Sequence, residues 1–433
     1  MSNQKLGLWS STALVTGNMI GSGIFLLPAS LALYGGISLL GWFFSSLGAI
    51  LLATVFGYLS ELLPNSNGGP YAYTKVSLGE FPAFLVAWGY WVSIWSTNAA
   101  ISVALVGYLA VFFPILASSS LAAIGTGLFF IWGMTWLNTQ KIQTVGFVQL
   151  LTTILKIIPI FLIGFVGIFY IKAGHFLPFN LSGESNLSAI TTTMTLTLFA
   201  YLGMESATIP SENVENPEST IRKATIRGTL IAVVVYILSS VAIMGIIPAE
   251  ILANSSAPFA DAAGLFWGQT AKYLVAFGAV VSTLGALNGW ILIQGQIPMS
   301  AATDNLFPRI FKKINKNGSP AIGIALSSIL VSILMMFKYS ESLVAAFTFM
   351  MTLSTLSVVT PYIFSTASLA ILVFEKDGVK HRKTKLLLAF LAFCFSIWVI
   401  IGCGKDVVFL GFILLMLGIP FYVLLRKDRE ISR

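Results

Sequence analysis

Charge is what this sequence has least of. Of its 433 residues only 9% are Asp, Glu, Lys or Arg, whereas 57% are hydrophobic and the mean hydropathy is +0.89. A soluble domain carries about 25% charged residues, so roughly a third of the charge needed for a water-facing surface is present. That excludes a soluble globular protein, a nucleic-acid binder and a disordered chain. Histidine is also scarce. His175 and His381 are the only two and both fall in expected loops, so no histidine-based metal site or triad forms inside the apolar segments. The five aspartates (Asp261, Asp304, Asp377, Asp406 and Asp428) sit in loops or at span ends, which leaves no buried aspartyl pair. Cys394 and Cys403 share one expected helix, where a rise of about 1.5 Å per residue holds them about 13 Å apart, too far to bridge. Neither an enzyme nor a cofactor is expected.

What the sequence has instead is long apolar runs. Twelve spans read at about 9–34, 37–63, 82–112, 119–138, 145–170, 188–210, 224–247, 266–300, 320–337, 343–372, 384–403 and 406–425. Each transmembrane helix needs about 20 residues, so twelve occupy about 240 of the chain. The expected fold class is an all-α polytopic membrane protein forming a single transmembrane domain over 1–433. Turn residues and charge separate the spans, as in the 64–70, 216–218, 315–320 and 375–385 segments. The short polar start, Met1–Gly7, runs into an apolar segment longer than a signal h-region, so no cleavable leader is expected. Alternate loops hold 19 of the 24 Lys and Arg residues, while the opposite side has Lys172, Lys272, Lys338 and Lys405. The positive-inside rule then puts both termini in the cytoplasm, as an even number of spans requires.

Two spans are interrupted alike. Gly17-Asn18-Met19-Ile20-Gly21-Ser22-Gly23-Ile24-Phe25-Leu26-Leu27-Pro28 lies in the first, and Phe199-Ala200-Tyr201-Leu202-Gly203-Met204-Glu205-Ser206-Ala207-Thr208-Ile209-Pro210 in the sixth. Each has small residues at its centre and a closing proline. Glycine costs a helix about 1 kcal/mol, and backbone groups freed at membrane depth must find partners. Interrupted spans at matching positions of two halves point to a transporter with its substrate site at the breaks. The plainer alternative is a pair of small-residue packing faces, but Gly21 and Gly23 are two apart and cannot share one helix face. Ionisable residues inside the spans are few: Glu205, Lys156 and Glu61. The first two are functional candidates by their cost. Glu61 lies near a span end, where a snorkelling surface carboxylate is the expected reading.

These stretches carry a resemblance. The first is similar to the first-helix signature of the amino acid–polyamine–organocation family, and more narrowly to bacterial arginine/agmatine and putrescine/ornithine antiporters. The likeness continues through Gly68-Gly69-Pro70-Tyr71-Ala72-Tyr73, Gly203-Met204-Glu205-Ser206-Ala207, Val214-Glu215-Asn216-Pro217-Glu218, Ala257-Pro258-Phe259, Gly289-Trp290 and Asp304-Asn305-Leu306-Phe307-Pro308. The resemblance implies the LeuT-type fold, with inverted five-helix repeats at about 9–170 and 188–372 and two extra helices over 384–425. It implies that Asn18, Ile20, Ser22, Gly23 and Ile24 of the first break, with Phe199, Ala200 and Gly203 of the second, meet the substrate. An unwound Ser22-Gly23-Ile24 offers backbone N–H groups to a carboxylate, and free carbonyls over Ala200–Gly203 suit an α-amino group. Trp290 falls where the resembled antiporters stack a tryptophan on the substrate side chain; without that motif it reads as structural. Asn98 and Ser354 match further contacts, and Tyr90, Glu205 and Tyr362 match a cytoplasm-side gate.

Two positions depart from the arginine antiporter: Phe199 replaces a gating tryptophan, and Lys156 replaces a small residue. The lysine resembles sodium-independent, proton-coupled permeases of the same superfamily. The expected function is an alternating-access antiporter for a basic amino acid or its decarboxylation amine, in the inner (plasma) membrane; the alternative is a proton-coupled symporter. A channel would show a ring of like polar residues and an enzyme a nucleophile–base pair, and neither is visible. The expected partners are the amino acid or amine and membrane lipid, with no nucleic acid; resembled members include dimers, so a homodimer is one implied assembly.

Lys156 generates a test. It lies eleven residues past Val145 in the 145–170 span, too deep to snorkel easily. An unpaired charge there costs about 2.5–3.5 kcal/mol, so the ammonium must face the protein interior. In sodium-coupled relatives of this fold a cation bridges the first and eighth spans beside the fifth, and the ammonium can stand in for it against carbonyls of Gly17–Gly21. It is then either a titrating coupling residue or a fixed structural cation. If it couples, uptake into proteoliposomes varies between acid and neutral pH, and Lys156→Met abolishes that variation. A flat wild-type profile, or an unchanged profile in the variant, leaves the fixed cation.

Overall fold

The structure is a computed structural model that describes residues 5–64, 66, 68–140, 148, 152, 160–209, 211, 214–338 and 342–431. Among these residues the regular elements are helices, joined by one isolated parallel bridge between Leu6 and Val214. Helices α1 (Leu8–Met19) and α2 (Ser22–Ala32) make one broken span, followed by α3 (Ser38–Leu62). Gly68 and Gly69, at φ +103° and +63°, reverse the chain in a conformation that costs a residue with a Cβ more. Pro70 then opens the short α4 (Pro70–Leu78), its missing N–H being one the helix start leaves unpaired anyway. The long α5 (Glu80–Leu109) follows. Helices α6 (Ser120–Asn138) and α7 (Asn186–Leu198) begin on serine caps: Ser119 and Ser185 accept the amides of Ala122 and Ser188. The remainder are α8 (Pro217–Ile246), α9 (Pro258–Thr303), α10 (Ala321–Lys338), α11 (Leu343–Glu375), α12 (Arg382–Gly402), α13 (Lys405–Met416) and α14 (Gly418–Ile431).

Among the described residues, nine helical segments are long and apolar enough to cross a membrane, and Ala321–Phe337 is a shorter apolar helix. The expected spans at 37–63, 119–138, 320–337 and 384–403 match α3, α6, α10 and α12 to within two residues at each end. Others shift. Helix α9 starts at Pro258 rather than 266 and kinks at Gly268, and the 406–425 span divides at Leu417 into α13 and α14. Half of the 145–170 span, including Lys156, lies outside the described residues, as does Pro210.

Burial sorts the helices into a centre and a rim. The most apolar stretch of α5 is 94% buried and that of the broken first span 88%, against 22% for α6 and 11% for α13–α14. Small residues on α5, among them Ala99, Ala100, Ser102, Ala104 and Gly107, let neighbouring backbones close around it. The rim helices turn large side chains outward, including Phe129, Phe337 and Phe409.

The basic side of the bundle is pinned by carboxylates. Asp304 pairs with Lys75 of α4 at 3.0 Å. Burial, and then the Asp304 carboxylate, push the Tyr71 phenol well above its ordinary range. Glu61, at its helix end and 36% exposed as a surface carboxylate would be, also ties three helices together. It bridges Arg222 of α8 at 3.0 Å and Lys385 of α12 at 3.2 Å, and both cations sit over the Tyr58 ring, 4.5 and 4.6 Å from its centroid. The Lys385 side chain is only 4% exposed, so its charge depends on this carboxylate. Glu61→Leu is therefore expected to cost about 1–3 kcal/mol of stability, because it leaves two adjacent cations, one buried, without a counter-charge. Lys385→Met should cost less, since Arg222 still neutralises Glu61. Thermal unfolding of the purified variants in detergent checks the order, and a smaller loss for Glu61→Leu would contradict it.

Candidate functional site

The two interrupted spans meet at the centre of the bundle. Helix α1 ends at Met19, Ile20 turns to an extended conformation (φ −71°, ψ 91°), and α2 starts at Ser22. The break is thus Ile20-Gly21, two residues before the expected Ser22-Gly23-Ile24, which instead forms the first turn of α2. Its amides remain among those a helix start leaves without intrahelical acceptors. In the other span α7 gives way to a 3-10 turn over Phe199–Tyr201, Leu202 is extended, and Gly203 takes φ +100° before a second 3-10 turn at Ser206–Thr208.

Each break is packed on the other through a glycine. A Cβ on Gly23 would lie 3.2 Å from Ala200 Cα and 3.3 Å from the Phe199 ring. A Cβ on Gly203 would lie 3.1 Å from Asn18 Cβ. Between them is a cavity of about 10 Å³, no more than a water molecule needs. Of the residues expected at a substrate site, Asn18, Gly23, Phe199, Ala200 and Trp290 line it. Met19, Gly21, Thr97, Ile101 and Leu202 line it too and were not singled out from sequence. Ile20, Ile24, Asn98, Gly203 and Ser354 are not on its wall, and the Ser22 side chain lies outside the described residues. Ser354 stands behind it, its hydroxyl 2.6 Å from that of Thr97. Asn98 donates to Gln294 at 2.7 Å.

The expectation of free carbonyls over Ala200–Gly203 is corrected in part. The Ala200 oxygen accepts the Tyr236 hydroxyl at 3.0 Å, and those of Tyr201 and Gly203 accept the Met204 and Ser206 amides. Tyr236 is fully buried and leaves no periodic signal, so only the fold reveals it.

Tyr90, Glu205 and Tyr362 are brought together. The Tyr90 hydroxyl donates to Glu205 Oε1 at 2.6 Å and that of Tyr362 to Oε2 at 3.1 Å. All three are buried, so the carboxylate is satisfied on both oxygens without water. Lys156 lies outside the described residues.

The contact distances make the glycines testable. Gly203→Ala combines a strained positive φ with a Cβ against Asn18, and Gly23→Val forces a branched side chain into the Ala200 backbone. Each variant is expected to insert in the membrane and to lose transport by at least tenfold. Near-normal uptake by Gly23→Val would show that the breaks need not approach this closely.

Comparison with known proteins agrees with this architecture. Residues 6–420 match the amino acid permease family. The chain is 32% identical to a putative arginine/ornithine antiporter of Bacillus subtilis, across 97% of this chain and 96% of the relative. It is 32% identical to a putrescine transporter of Haemophilus influenzae, across 97% of each. It is 35% identical to a cadaverine/lysine antiporter of Escherichia coli, across 77% of this chain and 75% of that protein. These are transport proteins, not enzymes, and a bundle of this apolarity is an integral, multi-pass membrane protein. The chain belongs to the amino acid permease family.

Proposed function

We propose that this protein is an antiporter that exchanges a cationic amino acid for another, or for its decarboxylation amine, by alternating access. The observation that carries the reading is the crossing of two broken helices around a central cavity walled by Trp290. Helix starts in the first break suit the substrate carboxylate, and the indole face suits an ammonium or guanidinium. The relatives are named for arginine and ornithine, putrescine, and cadaverine and lysine, which all carry an amine or guanidinium. Two of these three names are of antiporters, which favours antiport over proton-coupled symport. Phe199 at the cavity wall, in place of an indole, argues for a site less tuned to guanidinium.

In this reading the fold is of the LeuT type, with twelve spans: an inverted pair of five-helix repeats at about 9–170 and 188–372, then two helices over 384–425. The chain forms one transporter domain in the inner membrane with both termini cytoplasmic, as its basic loops suggest. Tyr90, Glu205 and Tyr362 form the cytoplasm-side gate. Tyr90 precedes Asn98 by eight residues on α5, about 12 Å toward the basic side. With that gate hydrogen-bonded and the cavity too small for an amino acid, the structure corresponds to an occluded state. Ile20, Ser22, Ile24, Asn98, Gly203 and Ser354 complete the proposed substrate-binding set, and Lys156 is the proposed coupling residue. Two copies pairing in the membrane is the proposed assembly.

Exchange is tested in proteoliposomes. Uptake of labelled arginine or ornithine should rise at least tenfold when the vesicles are loaded with ornithine, lysine, putrescine or cadaverine. Equal uptake into empty vesicles under a pH gradient would replace exchange with symport. Trp290→Leu should weaken binding of the cationic substrate by about 0.5–2 kcal/mol, up to roughly thirtyfold, and affect a small neutral amino acid less. Equal losses would make Trp290 a packing residue.

A further inference from the structure

A buried polar chain leads away from the cavity. Asn98 Nδ2 donates to Gln294 Oε1 at 2.7 Å. Gln294 Nε2 donates in turn to Ser328 Oγ at 2.8 Å and to the Ile324 carbonyl at 3.2 Å. Ser328 shares a hydrogen bond of 2.6 Å with Thr135 of α6. Asn98, Gln294 and Ser328 have no exposed surface. Among the described residues, Asn98 Oδ1 has no hydrogen-bond partner.

The direction of this chain is dictated from its far end. A carboxamide has nearly the same shape either way round, so its neighbours decide which end is nitrogen. The Ile324 carbonyl can only accept, so Gln294 must turn its nitrogen toward α10. Gln294 Oε1 then faces Asn98 and can only accept, so Asn98 must offer its nitrogen. Its oxygen is left over. Gln294 is also held by its backbone. Pro298, four residues on, has no N–H to give the Gln294 carbonyl, and Ser327 Oγ lies 3.2 Å from it, its one hydrogen shared with the Gly323 carbonyl at 2.8 Å. Trp91 Nε1 fixes that serine from α5 at 2.7 Å.

Asn98 itself is not on the cavity wall, but its neighbours are. Thr97 and Ile101, which line it, are one and three residues from Asn98 on α5, and Trp290 is one turn before Gln294 on α9. We propose that Gln294 is a positioning residue that holds the Asn98 carboxamide with its oxygen available to substrate. The site then offers an acceptor and selects a side chain that only donates, an ammonium or guanidinium, over an apolar one of the same length. An unmet buried acceptor is unfavourable until such a donor arrives, which converts the strain of the empty site into selectivity. The inference rests on the reading of this cavity as the amino-acid site.

The test is equilibrium binding of L-ornithine and L-norleucine to the purified full-length protein, for wild type, Gln294→Met, Asn98→Leu and the double variant. Gln294→Met keeps volume but lets the Asn98 amide turn. It should raise the Kd for ornithine about tenfold and change that for norleucine less than twofold. In the Asn98→Leu background the same substitution should add less than twofold, because Gln294 acts through Asn98. Ser328→Ala should change little, since the Ile324 carbonyl still sets the direction. If the methionine form is not recovered folded, Gln294→Ala makes the same comparison. Equal losses for the two ligands, or additive losses in the double variant, overturn the positioning role while leaving the transport reading intact. Wild-type protein that binds neither amino acid overturns the transport reading, and this inference with it.

Discussion

The structure depends on one constraint: two helices are broken at membrane depth, and each must satisfy the other. Within hydrocarbon, an unpaired backbone group costs several kcal/mol, so an interrupted helix survives only when enclosed by protein. Here enclosure is mutual. Gly23 lies against Ala200 and Gly203 against Asn18, at distances where a methyl group would intrude. The neighbours complete the enclosure, α5 along one side and Tyr236 of α8 capping the Ala200 carbonyl. The burial of α5 is completed by α11 and α9, which pack along its length and leave it little surface for lipid.

Polar satisfaction in this core is selective rather than complete. The Tyr236 hydroxyl takes up a carbonyl, the two tyrosines take up both oxygens of Glu205, and Ser327 shares its hydrogen with the carbonyl that Pro298 abandons. Among the described residues, Asn98 Oδ1 is one of several buried polar atoms left unpaired, including Trp95 Nε1 and Ser102 Oγ of α5, and what sets it apart is the fixed direction of its carboxamide. Packing alone does not account for a fully buried asparagine with one oxygen unmet.

Much of this was legible in the sequence, and the reasons differ from element to element. Long apolar runs bounded by charge and turn residues locate α3, α6, α10 and α12 closely, because hydrocarbon thickness imposes a length that local sequence reveals. Glycine and proline inside an apolar run mark the two breaks, but not their register: Gly21 and Gly23 are equally permissive, and only the contact of Gly21 with Ala286 and of Gly23 with Ala200 distinguishes them. The Glu205 partners were reached through resemblance, not through spacing, since Tyr90 and Tyr362 lie far from it in the chain. The partners of Glu61 are illegible for the same reason. A carboxylate near a helix end looks like a surface group until Arg222 and Lys385, distant in sequence, are folded against it. Gln294 left no ionisable signal at all; its meaning comes from a carbonyl on another helix.

The gate sets the energy scale of the proposed cycle. Hydrogen bonds to a charged group contribute about 1.5–3 kcal/mol each, so opening Glu205 from two tyrosines forfeits roughly twice that before water compensates. Shifting a two-state equilibrium from 1:99 to 99:1 takes about 5.5 kcal/mol of differential binding. The two quantities are of one size. A substrate that engages both breaks and the Trp290 face can therefore reverse the balance, whereas one that meets only a single break cannot. In the proposed cycle the hydrogen bonds of this gate and the differential binding of a ligand are therefore matched, so what occupies the site decides which state is populated.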